Sequence, residues 1–282
     1  MDGTTGAVGF IGLGNIGAPM AGHLVDWPGG LVVCDVRPEA VEPFVAKGAR
    51  AAATPAEVAG AADVISVMVR DDAQAEAVLD GILGAGRSGV VVAVHSTIAP
   101  GTAERMAATA APAGVAVVDA AVSGGPMGAA EGKLAVLAGG DAEAVDRCRE
   151  PFGRWAGRVE HFGPVGAGTR AKLARNLVTY VSYAAVGEGL RLAEASGVDV
   201  HKLGEVIRYS DSLTGGPGSI AVRRTTAPMA DDDPLRPPFV HGYELGEKDL
   251  RLALDLAGEL DVDLPLAGLA LAHLAATFGL SS

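Results

Sequence analysis

The sequence predicts an α/β protein in which a doubly wound parallel sheet is followed by an all-helical part, with one long helix joining the two. Apolar strand-like segments alternate with helical segments up to about residue 163, and no convincing strand follows residue 165. Thr169–Ser196 reads as a single helix that contains no proline and ends at Gly197. We therefore predict two domains, residues 1–165 and residues 166–282.

The predicted strands of the first domain are continuously apolar rather than alternating, which is typical of parallel strands covered on both faces. They are Ala7–Ile11, Leu31–Cys34, Val64–Met68, Val90–Val94, Val115–Val118, Leu134–Ala138 and Val159–Phe162. Alanine- and glutamate-rich stretches with turn residues at their ends separate these strands and predict the covering helices. The first domain should therefore be a layered sheet with helices on both sides.

The second domain should contain three helices after the long one, namely Val200–Tyr209, Tyr243–Leu260 and Leu266–Phe278. Between them lies Thr214–Val240, whose glycine, proline and aspartate content predicts a loop. Within it, Asp231–Asp233 is interpreted as a solvated acidic run rather than a metal site.

Composition and charge exclude several functional classes. The chain has 282 residues, 49% of them hydrophobic, which is enough for a sizeable core. Its formal net charge of −12 argues against nucleic acid or an anionic membrane surface as a partner. No apolar run reaches the ~18–20 residues that span a bilayer, and Met1–Gly6 lacks the pattern of a secretory signal. Cys34 and Cys148 are too few for a disulfide framework, so we expect a cytoplasmic protein.

The segment Val8–Gly17 has the G-x-G-x-x-G pattern of a dinucleotide-binding, Rossmann-type strand–turn–helix unit. Gly12 permits the tight turn, Gly14 lets the backbone approach a pyrophosphate, and Gly17 lets the helix pack close to the strand. A Gly-rich turn of purely structural importance is the alternative. The residues expected to contact the cofactor in this turn are Gly12, Leu13, Gly14, Asn15, Ile16 and Gly17.

Asp35 and Arg37 bear on which cofactor is bound. Asp35 ends the second predicted strand at about the distance at which a carboxylate reaches the adenosine ribose hydroxyls. A carboxylate there favours NAD and repels the 2′-phosphate of NADP, whereas Arg37 could reach that phosphate. Asp35 could instead only cap the helix that begins near Pro38. We expect NAD to be preferred, with NADP left open.

Lys172 and Asn176 are candidates for the chemistry, because residues four apart on a helix lie over one another on the same face. A partly buried lysine near a cationic nicotinamide ring loses proton affinity and becomes suited to general acid–base work. Asn176 could hold the substrate oxygen in line. Both residue types are also common on any solvated helix, so the pair alone leaves that alternative open.

The run Asp119–Pro126 follows the predicted strand Val115–Val118 and is expected to form a loop at the ligand-binding edge of the sheet. Ser123, Gly124 and Gly125 within it offer a hydroxyl and unobstructed backbone N–H groups, which suit a carboxylate. A plain turn is the alternative interpretation.

Four segments in the same order resemble the β-hydroxyacid dehydrogenases, of which 3-hydroxyisobutyrate dehydrogenase is the best-known member. They are the opening Gly-Phe-Ile-Gly-Leu-Gly-Asn-Ile-Gly-Ala-Pro-Met, then Asp-Ala-Ala-Val-Ser-Gly-Gly, then Gly-Ala-Gly-Thr-Arg-Ala-Lys-Leu-Ala-Arg-Asn, and finally Glu247-Lys248-Asp249-Leu250. The resemblance covers nearly the whole chain. It implies a dimer or tetramer of identical chains that acts on a small carboxylate substrate.

The resemblance also implies individual roles. Lys172 would be the catalytic acid–base, Asn176 would orient the substrate, and Ser123, Gly124 and Gly125 would bind its carboxylate. Four further positions match cofactor-contacting residues of the family: Met68, Val69, Thr97 and Lys248.

The chain also departs from the family pattern. The family commonly has Leu-Pro at Met68–Val69, proline at Ala121, and an Asp-Ser-Ser-Thr run where this chain has Val94-His95-Ser96-Thr97. His95 could be a polar group near the cofactor, although a loop histidine with satisfied hydrogen bonds is the favoured interpretation. These departures leave the substrate open.

The expected function is reversible hydride transfer between NAD(P) and a small β-hydroxyacid. One alternative is an NADPH-dependent reductase of short aldehyde acids such as glyoxylate or succinic semialdehyde. Another is an imine reductase, against which a lysine at position 172 argues, since imine reductases typically have Asp or Tyr there. A non-catalytic nucleotide-sensing module is the remaining alternative.

Overall fold

The first part of the chain forms an eight-stranded sheet with the strand order β3-β2-β1-β4-β5-β6-β7-β8. It is seen in a computed structural model that describes residues 6–280. The strands are β1 Val8–Ile11, β2 Leu31–Cys34, β3 Arg50–Ala51, β4 Val64–Val67, β5 Val91–Val94, β6 Ala116–Ser123, β7 Leu134–Gly139 and β8 Ala156–His161. Each predicted strand is present, and β3 is a short edge strand that the hydrophobic pattern does not reveal.

The sheet is mixed rather than wholly parallel, which corrects the sequence-based expectation. Strands β1 to β6 run parallel to their neighbours, whereas β7 is antiparallel to β6 and β8 follows the direction of β7. The connection from Ser123 to Leu134 holds only a short helix, Gly125–Ala130. A parallel crossover needs about a dozen residues or more, so this short connection returns the chain in the opposite direction.

Helices cover both faces of the sheet and create two separate apolar clusters. The helices are α1 Gly17–Gly22, α2 Pro38–Val45, α3 Pro55–Ala59, α4 Asp72–Leu83, α5 Pro100–Ala110, α6 Gly125–Ala130 and α7 Ala142–Phe152. On one face, Phe10 packs in a cluster with residues of α1, α2, α6 and α7. On the other face, its neighbour Ile11 packs with residues of α3, α4 and α5. This alternation along β1 explains why the strand is apolar throughout.

The rest of the chain is helical, as predicted. Its helices are α8 Ala167–Ala195, α9 Val200–Thr214, α10 Arg236–Glu259 and α11 Pro265–Thr277. Helix α10 begins well before the predicted Tyr243, because Pro237 and Pro238 lie in its first turn, where a missing N–H is tolerated. Gly197, the predicted end of the long helix, follows α8 with a φ of 75°.

The chain divides between Arg175 and Asn176 into two compact units. This division lies within α8. The domain boundary expected between residues 165 and 166 stays a prediction. Among residues 6–280, no helix has both the length and the apolar character needed to cross a membrane. Cys34 and Cys148 are buried free thiols.

Candidate active site

The glycine turn after β1 has no room for side chains at two positions and has open space at a third. A Cβ at Gly12, whose φ is 94°, would lie 2.1 Å from the carbonyl oxygen of Met68, and one at Gly17 would lie 2.0 Å from the oxygen of Gly12. Side chains are therefore excluded at both positions. A Cβ at Gly14 would meet nothing within 4 Å, so this exposed backbone leaves room for a ligand. The residues present thus fit a dinucleotide.

Asp35 is tied to the glycine turn at the end of β2. Its Oδ2 accepts the backbone N–H of Leu13 at 2.6 Å, and its Oδ1 accepts the N–H of Arg37 at 2.8 Å. Burial disfavours its charge, but these N–H donors and the guanidinium of Arg37 hold the pKa of Asp35 below its usual range. Helix α2 has no side-chain capping hydrogen bond at its start. The alternative that Asp35 only caps this helix is therefore not supported.

Arg37 lies beside Asp35 with its side chain 55% exposed and its Nε 3.3 Å from Oδ1 of Asp35. Its Nη2 donates to the carbonyl oxygen of Leu13 at 3.3 Å. Asp35 and Arg37, the two residues expected to bear on the choice of cofactor, therefore form one ion pair at the turn.

The residues after β4 and β5 lie at the same carboxyl edge of the sheet. Met68 donates its N–H to Ile11 of β1, which places it against the glycine turn. Val69 exchanges hydrogen bonds with the Ser96 hydroxyl, 2.9 Å from the Val69 nitrogen and 2.7 Å from its oxygen. Thr97 is exposed. The first unit thus brings Met68, Val69 and Thr97 to the edge on which the glycine turn opens.

His95 lies in the core, with both ring nitrogens hydrogen-bonded. Its Nδ1 is 2.8 Å from the carbonyl oxygen of Ala120 and its Nε2 is 2.9 Å from the hydroxyl of Ser66. Nδ1 therefore carries the proton, and Nε2 accepts from the hydroxyl. Burial lowers the pKa of His95 to about 4, so the ring is neutral at physiological pH. The structure thus favours the histidine with satisfied hydrogen bonds, in the segment directly after β5 and buried there.

The segment Asp119–Ser123 is strand rather than loop, which corrects the sequence-based expectation. It continues β6 beyond the end of β5 because Asp119–Ser123 pairs with β7, the reversed strand. Only Gly124 links this strand to α6, and its φ of 131° is one that glycine alone adopts readily. Gly125 begins α6, and a Cβ there would meet nothing within 4 Å.

Asp119 is a buried carboxylate that holds the start of α8. Its Oδ1 accepts the N–H of Gly166 at 2.8 Å and its Oδ2 accepts the N–H of Thr169 at 2.7 Å. Burial raises the pKa of Asp119, and these donors oppose the rise. The role of this side chain could not be predicted from the sequence, because its two N–H donors lie 47 and 50 residues further along the chain.

Lys172 is buried, with 8% of its surface exposed, one turn into α8. Burial and the neighbouring charge of Arg175 lower the pKa of Lys172. Among the described residues, no carboxylate forms an ion pair with its ammonium group. Lysine is rarely buried without such a partner, which makes Lys172 a candidate functional group.

Ser123 is 9% exposed and lines an open pocket of about 270 Å³ together with Arg158, Phe162 and Arg175. Arg158 is paired with Glu160 at 2.9 Å. Arg175, which also lowers the pKa of Lys172, thus lines the same pocket as the candidate carboxylate-binding serine.

Two predicted site residues belong to the second unit. Asn176 follows Lys172 by one helical turn of α8 and is half-buried. Lys248 lies on α10, is exposed, and pairs with Asp249 at 2.7 Å.

In the loop before α10, Asp231 pairs with Arg236, and Asp233 accepts the N–H of Leu235 at 2.8 Å.

Comparisons with known proteins match both parts of the chain. Residues 7–163 match the family model described as the NAD binding domain of 6-phosphogluconate dehydrogenase. Residues 166–279 match the model described as NAD-binding of NADP-dependent 3-hydroxyisobutyrate dehydrogenase.

Individual relatives align over almost the whole chain. An uncharacterized oxidoreductase of Mycobacterium tuberculosis is 56% identical and covers 98% of this chain and 94% of its own. The NAD-dependent L-serine dehydrogenase of Pseudomonas aeruginosa is 35% identical over 94% of this chain and 89% of its own. The crystal structure of a putative oxidoreductase from Mycobacterium avium superposes with a TM-score of 0.94 at 48% identity, covering 98% of this chain and 99% of that one.

The glycine turn fits a dinucleotide, and a buried lysine lies one turn into the long helix. The two parts of the chain match family models named for 6-phosphogluconate dehydrogenase and 3-hydroxyisobutyrate dehydrogenase. The chain therefore belongs to the β-hydroxyacid dehydrogenase family and is an NAD(P)-dependent dehydrogenase that acts on a hydroxyl group.

Proposed function

We propose that the chain reversibly oxidises a small β-hydroxyacid, with Lys172 as the general acid–base. The observation that carries this proposal is the burial of Lys172 without a carboxylate partner among the described residues. Its lowered pKa brings it closer to the range in which an amine exchanges protons at physiological pH. A lysine that served only stability would be expected on the surface or in an ion pair.

The residues of the chain divide the work between binding and proton transfer. The turn Gly12–Gly17, with Asp35, Met68, Val69 and Thr97, would hold the dinucleotide, which supplies or accepts the hydride when it is bound. Ser123 and the backbone at Gly124 and Gly125 would bind the substrate carboxylate. In oxidation Lys172 takes the proton of the substrate hydroxyl, and in reduction it returns that proton to the carbonyl oxygen. Asn176 would hold the same oxygen in line.

Arg175 supports an anionic substrate. It lines the pocket beside Ser123, in a chain whose formal net charge is −12. An acidic protein needs local positive charge to bind a carboxylate, and Arg175 with the amide groups of the Ser123 segment would supply it.

We also propose that NAD is preferred over NADP. The carboxylate of Asp35 is charged and lies at the glycine turn, where it would accept hydrogen bonds from ribose hydroxyls and repel a 2′-phosphate. Arg37 is held by Asp35 and by the oxygen of Leu13, so its charge is partly neutralised there.

The experiment that tests this function is a substrate panel with both cofactors. Three- to five-carbon β-hydroxyacids, including 3-hydroxyisobutyrate and L-serine, and the corresponding semialdehydes are assayed with NAD(H) and NADP(H) by nicotinamide absorbance. We expect turnover of at least one β-hydroxyacid with NAD. Turnover restricted to glyoxylate or succinic semialdehyde with NADPH, or to a cyclic imine, would contradict the proposal. Tight cofactor binding without turnover of any compound would favour a nucleotide-sensing module.

A further inference from the structure

We propose that Asp119 is a positioning residue for the acid–base group: its buried carboxylate fixes the start of α8 on strand β6 and thereby sets where Lys172 lies relative to Ser123. This inference rests on the proposed role of Lys172. Asp119 touches backbone rather than reacting atoms, so it would act through Lys172 and not as a catalytic residue itself.

The hydrogen bonds of Asp119 place both candidate groups on one rigid connection. The side chain is 1% exposed, and its two oxygens accept the N–H groups of Gly166 and Thr169 at 2.8 and 2.7 Å. Thr169 precedes Lys172 by less than one helical turn. Ser123 follows Asp119 by four residues along the same strand. Loss of the carboxylate would therefore shift the first turn of α8 and with it the position of Lys172.

The backbone around the Asp119 carboxylate is packed too closely for added side-chain atoms. A Cβ at Gly168 would lie 2.4 Å from the carbonyl oxygens of both Asp119 and Leu137. A Cβ at Gly139 would lie 2.5 Å from Oδ1 of Asp119 and 2.7 Å from the nitrogen of Gly168. The first turn of α8 thus rests directly on the backbone of β6 and β7. Glycines at these two positions make the contact possible, and Asp119 holds it together.

The negative charge suits this location although burial raises the pKa of Asp119. Both oxygens accept N–H groups, which is the arrangement of an ionised carboxylate, and the N-terminus of α8 favours an anion. Asparagine has nearly the same shape but would direct an NH₂ group at one of the two backbone N–H donors. Asp119→Asn therefore removes the anchor while keeping the volume.

The experiment compares the full-length wild type with Asp119→Asn and Lys172→Ala. The amine pKa of Lys172 is measured from the pH dependence of its acetylation by acetic anhydride, followed by mass spectrometry of its peptide. Turnover is measured with 3-hydroxyisobutyrate and L-serine, and NADH affinity by fluorescence. In Asp119→Asn we expect kcat to fall about 10- to 100-fold, NADH affinity to change less than about twofold, and the pKa of Lys172 to rise as water reaches the amine.

A second pair of variants leaves the carboxylate unchanged: one variant displaces the start of α8, and the other is its matched control. Gly168→Ala pushes the first turn of α8 away from β6, whereas a Cβ at Gly189 on the same helix meets nothing within 4 Å. We expect Gly168→Ala to lower kcat and raise the pKa of Lys172 as Asp119→Asn does, and Gly189→Ala to change neither. This pair keeps the test decisive if Asp119→Asn does not fold.

The outcomes separate this inference from the proposed function. If Asp119→Asn, or Gly168→Ala in its place, lowers only the folded fraction while kcat per folded molecule and the pKa of Lys172 stay at wild-type values, Asp119 is merely structural and the inference is wrong. If Lys172→Ala retains turnover, the proposed function fails instead. Acetylation would then still report whether Asp119 positions the amine.

Discussion

Buried polar residues of the nucleotide-binding unit differ in whether they have partners. Asp119 and His95 are both 1% exposed, and every charged or polar atom of their side chains that could bind a partner does so. Lys172 is buried to a similar degree, yet no carboxylate of the described residues pairs with it. An unpaired buried cation costs stability, so it persists only where another benefit offsets that cost. The unpaired state of Lys172 therefore supports its proposed acid–base role.

His95 should make the protein less stable in mild acid. Burial lowers its pKa to about 4 in the folded state, whereas an unfolded histidine has a pKa of about 6.5. Between these values the unfolded chain binds a proton that the folded chain does not, so stability falls as the pH drops from about 6.5 to 4. The loss is on the order of 3 kcal/mol in total. In His95→Gln this contribution should disappear, which urea unfolding at a series of pH values measures. An equal pH slope in wild type and variant would contradict it.

At the scale of secondary structure, the hydrophobic pattern predicted most of the elements correctly. Continuous apolar runs identify the inner strands because these strands lie between two layers of helices. Gly197 indicates the end of α8. The pattern could not show that β7 is reversed, since a buried strand reads the same in either direction. Edge strand β3 is only Arg50–Ala51 and both residues are exposed, so it carries no apolar signal.

The candidate site was predictable to the extent that its residues occur in local motifs. The glycine turn could be predicted from the sequence because it is a short motif of neighbouring residues. The Ser123 segment was recognisable as a motif, but its expected loop is a strand because it pairs with β7. The contacts of Asp119 with Gly166 and Thr169 join residues far apart in sequence and depend on the reversed strand β7. No local pattern reports such a contact.

Glu188 on α8 should stabilise helix α11. Its side chain is buried and accepts the N–H groups of Leu266 and Ala267 at 2.8 and 2.9 Å, in the first turn of α11. These N–H groups have no acceptor within their own helix. Glu188→Ala should therefore lower the free energy of unfolding by about 1–2 kcal/mol, measured by urea unfolding. The exposed Glu194 on the same helix is the matched control, and an equal effect of Glu194→Ala would contradict the capping role.

At the scale of the whole molecule, the second unit exposes many large apolar side chains. On α8, Leu177, Tyr180 and Tyr183 are each 65–66% exposed. Contiguous exposed apolar surface commonly marks an interface between proteins. This supports the proposal, first drawn from the family resemblance, that the chain forms a homodimer or homotetramer.

The proposed assembly predicts a mass at least twice that of one chain in size-exclusion chromatography with light scattering. The double variant Leu177→Glu with Tyr180→Glu places charges on the exposed face of α8 and should shift the protein towards a single chain. Glu205→Lys, a charge change at an exposed position of α9, should leave the mass unchanged. A wild type that runs as a single chain would refute the assembly.

The role of Lys172 is tested most directly by the turnover of Lys172→Ala. General acid–base catalysis contributes typically about 10²- to 10⁴-fold. We therefore expect kcat with a β-hydroxyacid that the wild type turns over to fall by at least about 100-fold, while NADH binds with nearly unchanged affinity. A variant that retains near-normal kcat would show that the buried lysine does not carry the proton transfer.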